Sequence, residues 1–265
     1  MSLTSSALIP PDIDFDSKEP WTSETELIIP VESTQVLIHE SAAILGGQAF
    51  LNIAKLPYVI RERRNATEIS PNSKLPVLRC GAYVVSEVEG IVQLAQAKGI
   101  TLSEHLNASQ KADLRAYMSL VHNVLGNALT FLTWKDNDVY NNYTRLRAGS
   151  VYNFPLRVIM PWYIKRRVVG QLALLNWSDR STEEVFHEVE TCLLALSERL
   201  GEAAYFFGDH PTELDALVFG YLFTMITTPL PNKQLGALVK QSPTMVKFCQ
   251  RVEKEYFSQS TESTA

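Results

Sequence analysis

From Thr34 onward the apolar positions fall first into short extended runs and then into long helical stripes, and this change of period divides the chain. Gln35-Val36-Leu37-Ile38-His39 reads as a β-rich run. After Ser41, AAILGGQAFLNIAK reads as a helix that ends at Leu56-Pro57. Tyr58-Val59-Ile60 restarts an extended segment. Leu75 to Arg79 and Tyr83 to Val85 form a hairpin around Cys80-Gly81-Ala82, and Glu87 to Ala97 returns to helical spacing. The order βαβ followed by ββα within one short segment predicts a thioredoxin-type domain over residues 25–100. In that order the third strand is entered through a proline, and Pro76 stands there. Only an X-Pro bond makes the cis form cheap, about 0.5–1 kcal/mol against about 2.5–4 for other residues, so a cis bond is expected at Leu75-Pro76.

Beyond Gly99 no strand-like alternation recurs. Leu114, Met118, Val121, Leu125, Leu129 and Leu132 form one helical stripe, and Val185, Val189, Cys192, Leu196 and Leu200 another, so residues 101–257 read as an all-helical bundle. Two helix starts are marked by capping boxes, Ser181-x-x-Glu184 and Thr212-x-x-Asp215. In each the hydroxyl and the carboxylate satisfy free amides of the first turn. Gly201 closes the first of these helices and Pro229 the second. Residues 135–154, KDNDVYNNYTRLRAGSVYNF, are polar and aperiodic, and are expected to be a loop or a fraying helix end, with a contact surface as the alternative.

Composition narrows the function. The chain is 46% hydrophobic and 20% charged with a net charge of -5, an ordinary globular balance with no electrostatic footprint for nucleic acid. Cys80, Cys192 and Cys249 are scattered singly, so neither a disulfide framework nor a C-x-x-C centre is predicted, and they read as reduced thiols. The five histidines never recur at metal-ligand spacing, and no phosphate-binding glycine motif occurs, so neither metal nor cofactor is expected. Residues 1–24 carry five acids and one lysine and resemble no targeting signal; they and residues 258–265 are expected to be flexible tails. The most apolar window, Leu214 to Thr228, contains Asp215 and falls short of the about twenty residues a span requires, so attachment to a membrane through partners is expected. Lys165-Arg166-Arg167, after the apolar VIMPWYI, is expected to be a solvated helix face, with contact to anionic lipid headgroups as the alternative.

A thioredoxin-like half joined to a helical half with a Thr-x-x-Asp box is similar to the glutathione-transferase architecture. Within it, AAILGGQAFLNIAKLPY, ISPNSKLPVL, VVSEVEGIVQLAQAKG, KADLRAYMSLVHNVL and YFFGDHPTELDALVFGYLFTMITTPL resemble the metaxin family over about residues 35–257. The resemblance implies an α+β fold and a non-enzymatic subunit, peripheral on the cytosolic face of the mitochondrial outer membrane. That subunit would form a heteromer with metaxin 1 and act with the β-barrel component of the SAM complex in protein import and β-barrel assembly, with possible links to mitochondrial organisation and transport.

The resemblance also locates a glutathione site to be tested. Transferases hold the γ-glutamyl group with an acidic or amide residue followed by serine at the strand-to-helix corner. Here Glu87 falls on the first position and Val88 on the second, so the hydroxyl is lost. Ser86 is expected instead to cap the helix, with Glu89 as the reciprocal residue of an S-x-x-E box. Counting back from Leu56-Pro57 brings Ser41 to the place of the activating serine or cysteine, where an inert helix cap is the expected role and an active glutathione transferase the alternative.

Overall fold

The structure, a computed structural model, describes residues 20–230 and 234–258. The elements in order are β1 (Glu26–Ile29), α1 (Ile38–Ile53), β2 (Val59–Glu62), α2 (Ala66–Ile69), β3 (Val77–Cys80), β4 (Tyr83–Ser86) and α3 (Glu87–Ala97). An all-helical half follows: α4 (Ala108–Val121), α5 (Asn127–Trp134), α6 (Asn137–Val139), α7 (Arg145–Gly149), α8 (Leu156–Leu174), α9 (Thr182–Leu200), α10 (Glu213–Thr227), α11 (Gln234–Lys240) and α12 (Pro243–Tyr256). The four strands form one sheet in the order β2-β1-β3-β4, with β1 and β2 parallel and the other pairs antiparallel. The α+β class and the two-part architecture expected from the periodicity are present.

The first strand is not where the sequence placed it. Glu26-Leu27-Ile28-Ile29 forms the strand, and Gln35 to Leu37 is loop, with Ile38 and His39 already in α1. Both runs are apolar and fully buried at their centres, so burial does not separate them. Local hydrogen bonding does. Pro30 follows the strand, and the next residues close a turn in which Gln35 N–H donates to Val31 O (2.8 Å) while Gln35 Oε1 accepts from Val31 N–H (3.0 Å). A residue engaged with its neighbour four positions back is unavailable to a sheet.

Strand alternation then sorts the core. Leu27 and Ile29 face the helices with Leu78 and Val85, while Ile28 turns to the other side and meets Ala66, Leu75 and Val77 in a small second cluster beneath α2. Of the segment expected to be a tail, residues 1–19 lie outside the described residues, as do 259–265 of the C-terminal one. Trp21 packs on the core and donates its indole N–H to Pro57 O (3.0 Å).

The polar break is helical. Residues 137–149 form α6, a π-type turn (Tyr140–Thr144) and α7. Asp136 starts this run by accepting from the amides of Asp138 and Val139 (2.9 Å each). Its polar residues are satisfied by tertiary partners: Thr144 Oγ1 donates to Thr133 O (2.6 Å), Tyr143 OH to Val36 O (3.2 Å), and Arg147 Nη1 to Glu32 O and Val36 O (2.9 and 3.0 Å). These bonds tie the helical half to the loop before α1, which is why the segment shows no simple apolar period. A second π-type turn, His122–Gly126, joins α4 to α5 and keeps the stripe from Leu114 to Leu132 on one inward face.

One helix organises the whole. From Glu213 to Leu222 every residue of α10 is buried, as an element apolar on all sides must be. It lies along α1, so the sheet domain and the helical domain share one continuous core. Gly220 marks the crossing. A Cβ there would stand 2.4 Å from Ala42 O and from Gly46 N, so only glycine lets the two backbones approach.

Candidate functional site

The strand-to-helix corner is built from three short segments. The Leu75-Pro76 bond is cis, and Pro76 O accepts from the amide of Glu87 (3.0 Å), joining the entry to β3 with the start of α3. Glu87 has φ +65°, a left-handed conformation that few non-glycine residues adopt, and its backbone there is fixed by that bond. Its carboxylate is occupied from within. Lys74 Nζ lies 2.7 Å from Oε1, and Asn72 Nδ2 donates to Oε2 (2.8 Å). Val88, in the place a binding serine would take, is buried against the middle of α1 beside Gly46.

Ser86 does not cap α3 as expected. It sits at the N-cap position, but its hydroxyl donates to Asn72 Oδ1 (2.8 Å), and Glu89 is exposed and makes no box. Asn72 is the reason: its Oδ1 also accepts from Ser70 Oγ (3.1 Å) and from the Lys74 amide (3.0 Å), which gathers the turn before Pro76 around the corner. Asn72 and Lys74 were not singled out in the sequence. The signal was there in ISPNSKLP, a polar turn that the topology brings beside the corner.

Ser41 is no cap either. The N-cap of α1 is Leu37, which has no side-chain oxygen to offer, and the role passes to Glu40, whose carboxylate accepts from the Leu37 amide (2.8 Å). Ser41 is one turn inside, its own amide already donating to Leu37 O (2.8 Å). It lies five residues before Gly46, about 7.5 Å along the axis from the point that faces Val88. The surroundings do not favour an anion. Burial pushes the Glu40 carboxyl up to about 7 despite its bond from Leu37, and lowers His39 to about 4, leaving a neutral ring whose Nδ1 is buried without a hydrogen-bond partner. Tyr143 and Arg147 roof this end, with the guanidinium stacked 4.5 Å from the tyrosine ring centre.

In the helical half the first box closes as expected, while in the second the Thr212 hydroxyl turns to Asp215 and caps no amide. Ser181 Oγ accepts from the Glu184 amide (3.2 Å) and Glu184 Oε2 from the Ser181 amide (2.6 Å). Asp215 Oδ2 accepts from the amide and the hydroxyl of Thr212 (2.7 and 2.8 Å), and Oδ1 from the Phe206 amide (3.0 Å), so the carboxylate also holds the loop before α10. Two cavities open elsewhere. One of about 280 Å³ lies between α3 and α4, with Glu89, Arg115 and His122 on its wall, and one of about 660 Å³ lies between Asn142, Tyr143 and the α10–α11 turn. Neither is lined by Ser41, Pro76 or Glu87. Among the described residues no group of acidic, histidine or cysteine side chains is arranged to hold a metal ion, and burial pushes the thiols of Cys192 and Cys249 up to about 12, out of the reactive range.

The fold is that of glutathione transferases. The chain superposes on a crystal structure of a glutathione transferase from Phanerochaete chrysosporium with a TM-score of 0.59 at 13% identity, covering 86% of this chain and 96% of the other. A Ceriporiopsis subvermispora glutathione S-transferase in complex with glutathione gives 0.58 at 14% identity, covering 87% and 98%. At such identities the likeness speaks for the fold alone. Relatives in sequence decide more. Metaxin-2 of Homo sapiens is 39% identical over 257 residues, 97% of each chain, and the Metaxin-2 homolog of Caenorhabditis elegans is 33% identical over 83% of this chain and 95% of its own. The chain belongs to the metaxin family. Metaxin-1 of Homo sapiens is 31% identical over 71% of this chain and 42% of its own. Residues 45–165 match the family described as outer mitochondrial membrane transport complex protein, and residues 189–252 the glutathione S-transferase C-terminal domain. This metaxin is therefore a mitochondrial outer-membrane transport complex protein with a transferase fold.

Proposed function

We propose that this metaxin is a non-enzymatic, metaxin 2-like subunit, peripheral on the cytosolic face of the outer membrane. In this reading it pairs with metaxin 1 and acts with the β-barrel component of the SAM complex in protein import and β-barrel assembly. The observation that carries the loss of catalysis is the corner. Glu87, the group that would meet a glutathione amine, is held by Lys74 and Asn72, and the neighbouring hydroxyl is replaced by buried Val88. A ligand would have to break a charge-assisted pair and an amide bond to reach the carboxylate, and would find one contact where two are needed. Peripheral attachment is supported by the helices themselves: no described helix is long and apolar enough to cross a membrane, and the most apolar one, α10, is used up in the core.

The test is recovery of the tagged full chain from mitochondria in mild detergent, followed by identification of stoichiometric partners. Metaxin 1 and the SAM barrel are expected together. Recovery of the chain without either, under conditions that keep the barrel's other subunits bound, would overturn the assignment.

A further inference from the structure

The helix α8 is amphipathic in the wrong sense for a surface helix. Its inner stripe, Pro161 and Leu172 with half-buried Ile164 and Val168, packs on α5 and α7, and the outward face should be polar. It is not. Leu156, Ile159, Trp162 (57% exposed), Tyr163 (58%) and Leu174 (84%) point outward, and Phe154, just before the helix, is 85% exposed. Charge is biased around the same surface. Residues 139–178 contain six Lys and Arg and no Asp or Glu, in a chain whose remainder carries a net -11. Of these cations Arg145, Arg157, Arg166 and Arg167 are exposed, with the Arg166 guanidinium 5.9 Å from the Trp162 ring centre.

We propose that the outward face of α8, extended by Phe154, docks on the surface of a bilayer containing anionic phospholipid. Three observations select this occupant. The sign of the charge calls for an anionic partner, and a second copy of the chain meeting it face to face would bring the same cations against it. Tryptophan and tyrosine beside arginine is the composition that settles at headgroup depth, with rings in the acyl boundary and guanidinium groups among phosphates. The face also lies apart from both cavities described above, neither of which is lined by α8. The contact is weak and interfacial, distinct from pairing with metaxin 1, and it gives the membrane a preferred side of the molecule.

The test uses purified full-length protein and vesicles of phosphatidylcholine with or without phosphatidylinositol, with no other protein present. Co-sedimentation is expected to be at least tenfold stronger on the anionic vesicles and to weaken as salt is raised. Trp162 is the exposed indole, with Trp134 and Trp177 buried and Trp21 half-buried and bonded to Pro57 O, so a blue shift of tryptophan emission is expected on vesicle binding and should vanish in Trp162→Phe. The pair Arg166→Glu with Arg167→Glu should cut binding at least tenfold, as should Phe154→Ser. All three positions are exposed, so an unchanged urea midpoint separates lost docking from lost folding. Absence of sedimentation, equal binding to both vesicle types, or binding that survives the charge reversal would each overturn the proposal. So would a solution dimer that Trp162→Phe dissociates.

Discussion

Asp215→Ala tests what holds the central helix. The carboxylate satisfies three buried donors, the amides of Phe206 and Thr212 and the Thr212 hydroxyl, at a point where Thr212 and Asp215 are fully buried. Relative to the protonated carboxyl, leaving three buried donors unsatisfied costs about 5 kcal/mol in total. Against this, burial raises the Asp215 carboxyl from 3.8 to about 6, and at about 1.36 kcal/mol per unit the substitution recovers about 3 kcal/mol at pH 7. The net loss expected is therefore about 2 kcal/mol, a drop of about 0.7 M in the urea midpoint if the slope is about 3 kcal/mol per M for a chain of this size. The pH dependence sharpens the test. A folded-state pKa above the unfolded value means that Asp215's contribution is complete below about 4 and is lost as pH rises through about 6. The variant lacks the group, so the gap between the two proteins should widen to about 4 kcal/mol near pH 4.5. Glu40 titrates alike in both and drops out of the difference. A gap under about 1 kcal/mol at pH 7 would refute the hydrogen-bond count. A gap that narrows on acidification would show that the three donors outweigh burial and hold the carboxyl down.

Further outcomes follow from other sites. Purified protein should not accelerate conjugation of glutathione to a generic electrophile, and Val88→Ser should not confer it while Lys74 and Asn72 hold Glu87; turnover abolished by Ser41→Ala would reverse the reading of the corner. Gly220→Ala should lower stability by about 3 kcal/mol, because the added methyl meets backbone on α1, whereas Gly170→Ala, in open space on α8, should raise it by about 0.5–1 kcal/mol through helix propensity; equal effects in thermal melts would remove the argument for the crossing. Alkaline carbonate should release the chain from mitochondria, and loss of metaxin 1 should destabilise it; retention in the carbonate pellet would show an attachment stronger than a peripheral one.

The helical half was legible because its signals are local. The stripe at Leu114 to Leu132 and the box at Ser181-Glu184 depend on residues three and four apart, and both are found where spacing puts them. The misreadings are residues whose partners are distant in sequence. Ser86 has the right neighbour for a cap, yet its hydroxyl goes to Asn72, fourteen residues back. Tyr143 and Arg147 look like loop because the carbonyls they bind belong to Glu32 and Val36. The first strand was missed because LII between a glutamate and a proline is too short to show a period, while QVLIH, one loop later, is apolar for a different reason: it is the buried loop that leads into α1, with Ile38 and His39 opening the helix. At the corner the identities of Pro76, Glu87 and Val88 were enough to locate the site, but the pairing that closes it needs Lys74, thirteen residues from Glu87 and unremarkable by itself.

The contact at Gly220 has a mechanical meaning. With backbone touching backbone at 2.4 Å from a missing methyl, α1 and α10 have no lubricating layer of side chains across which to slip. A protease cut in the connection near residues 100–107 would therefore leave two fragments that stay together, with Glu213 still gripping Ser103 from across the joint (3.1 Å). A grip on the sheet by one partner thus sets the attitude of every helix beyond it, including the direction in which α8 shows its aromatic face. The molecule behaves as a bracket whose two arms meet at a fixed angle.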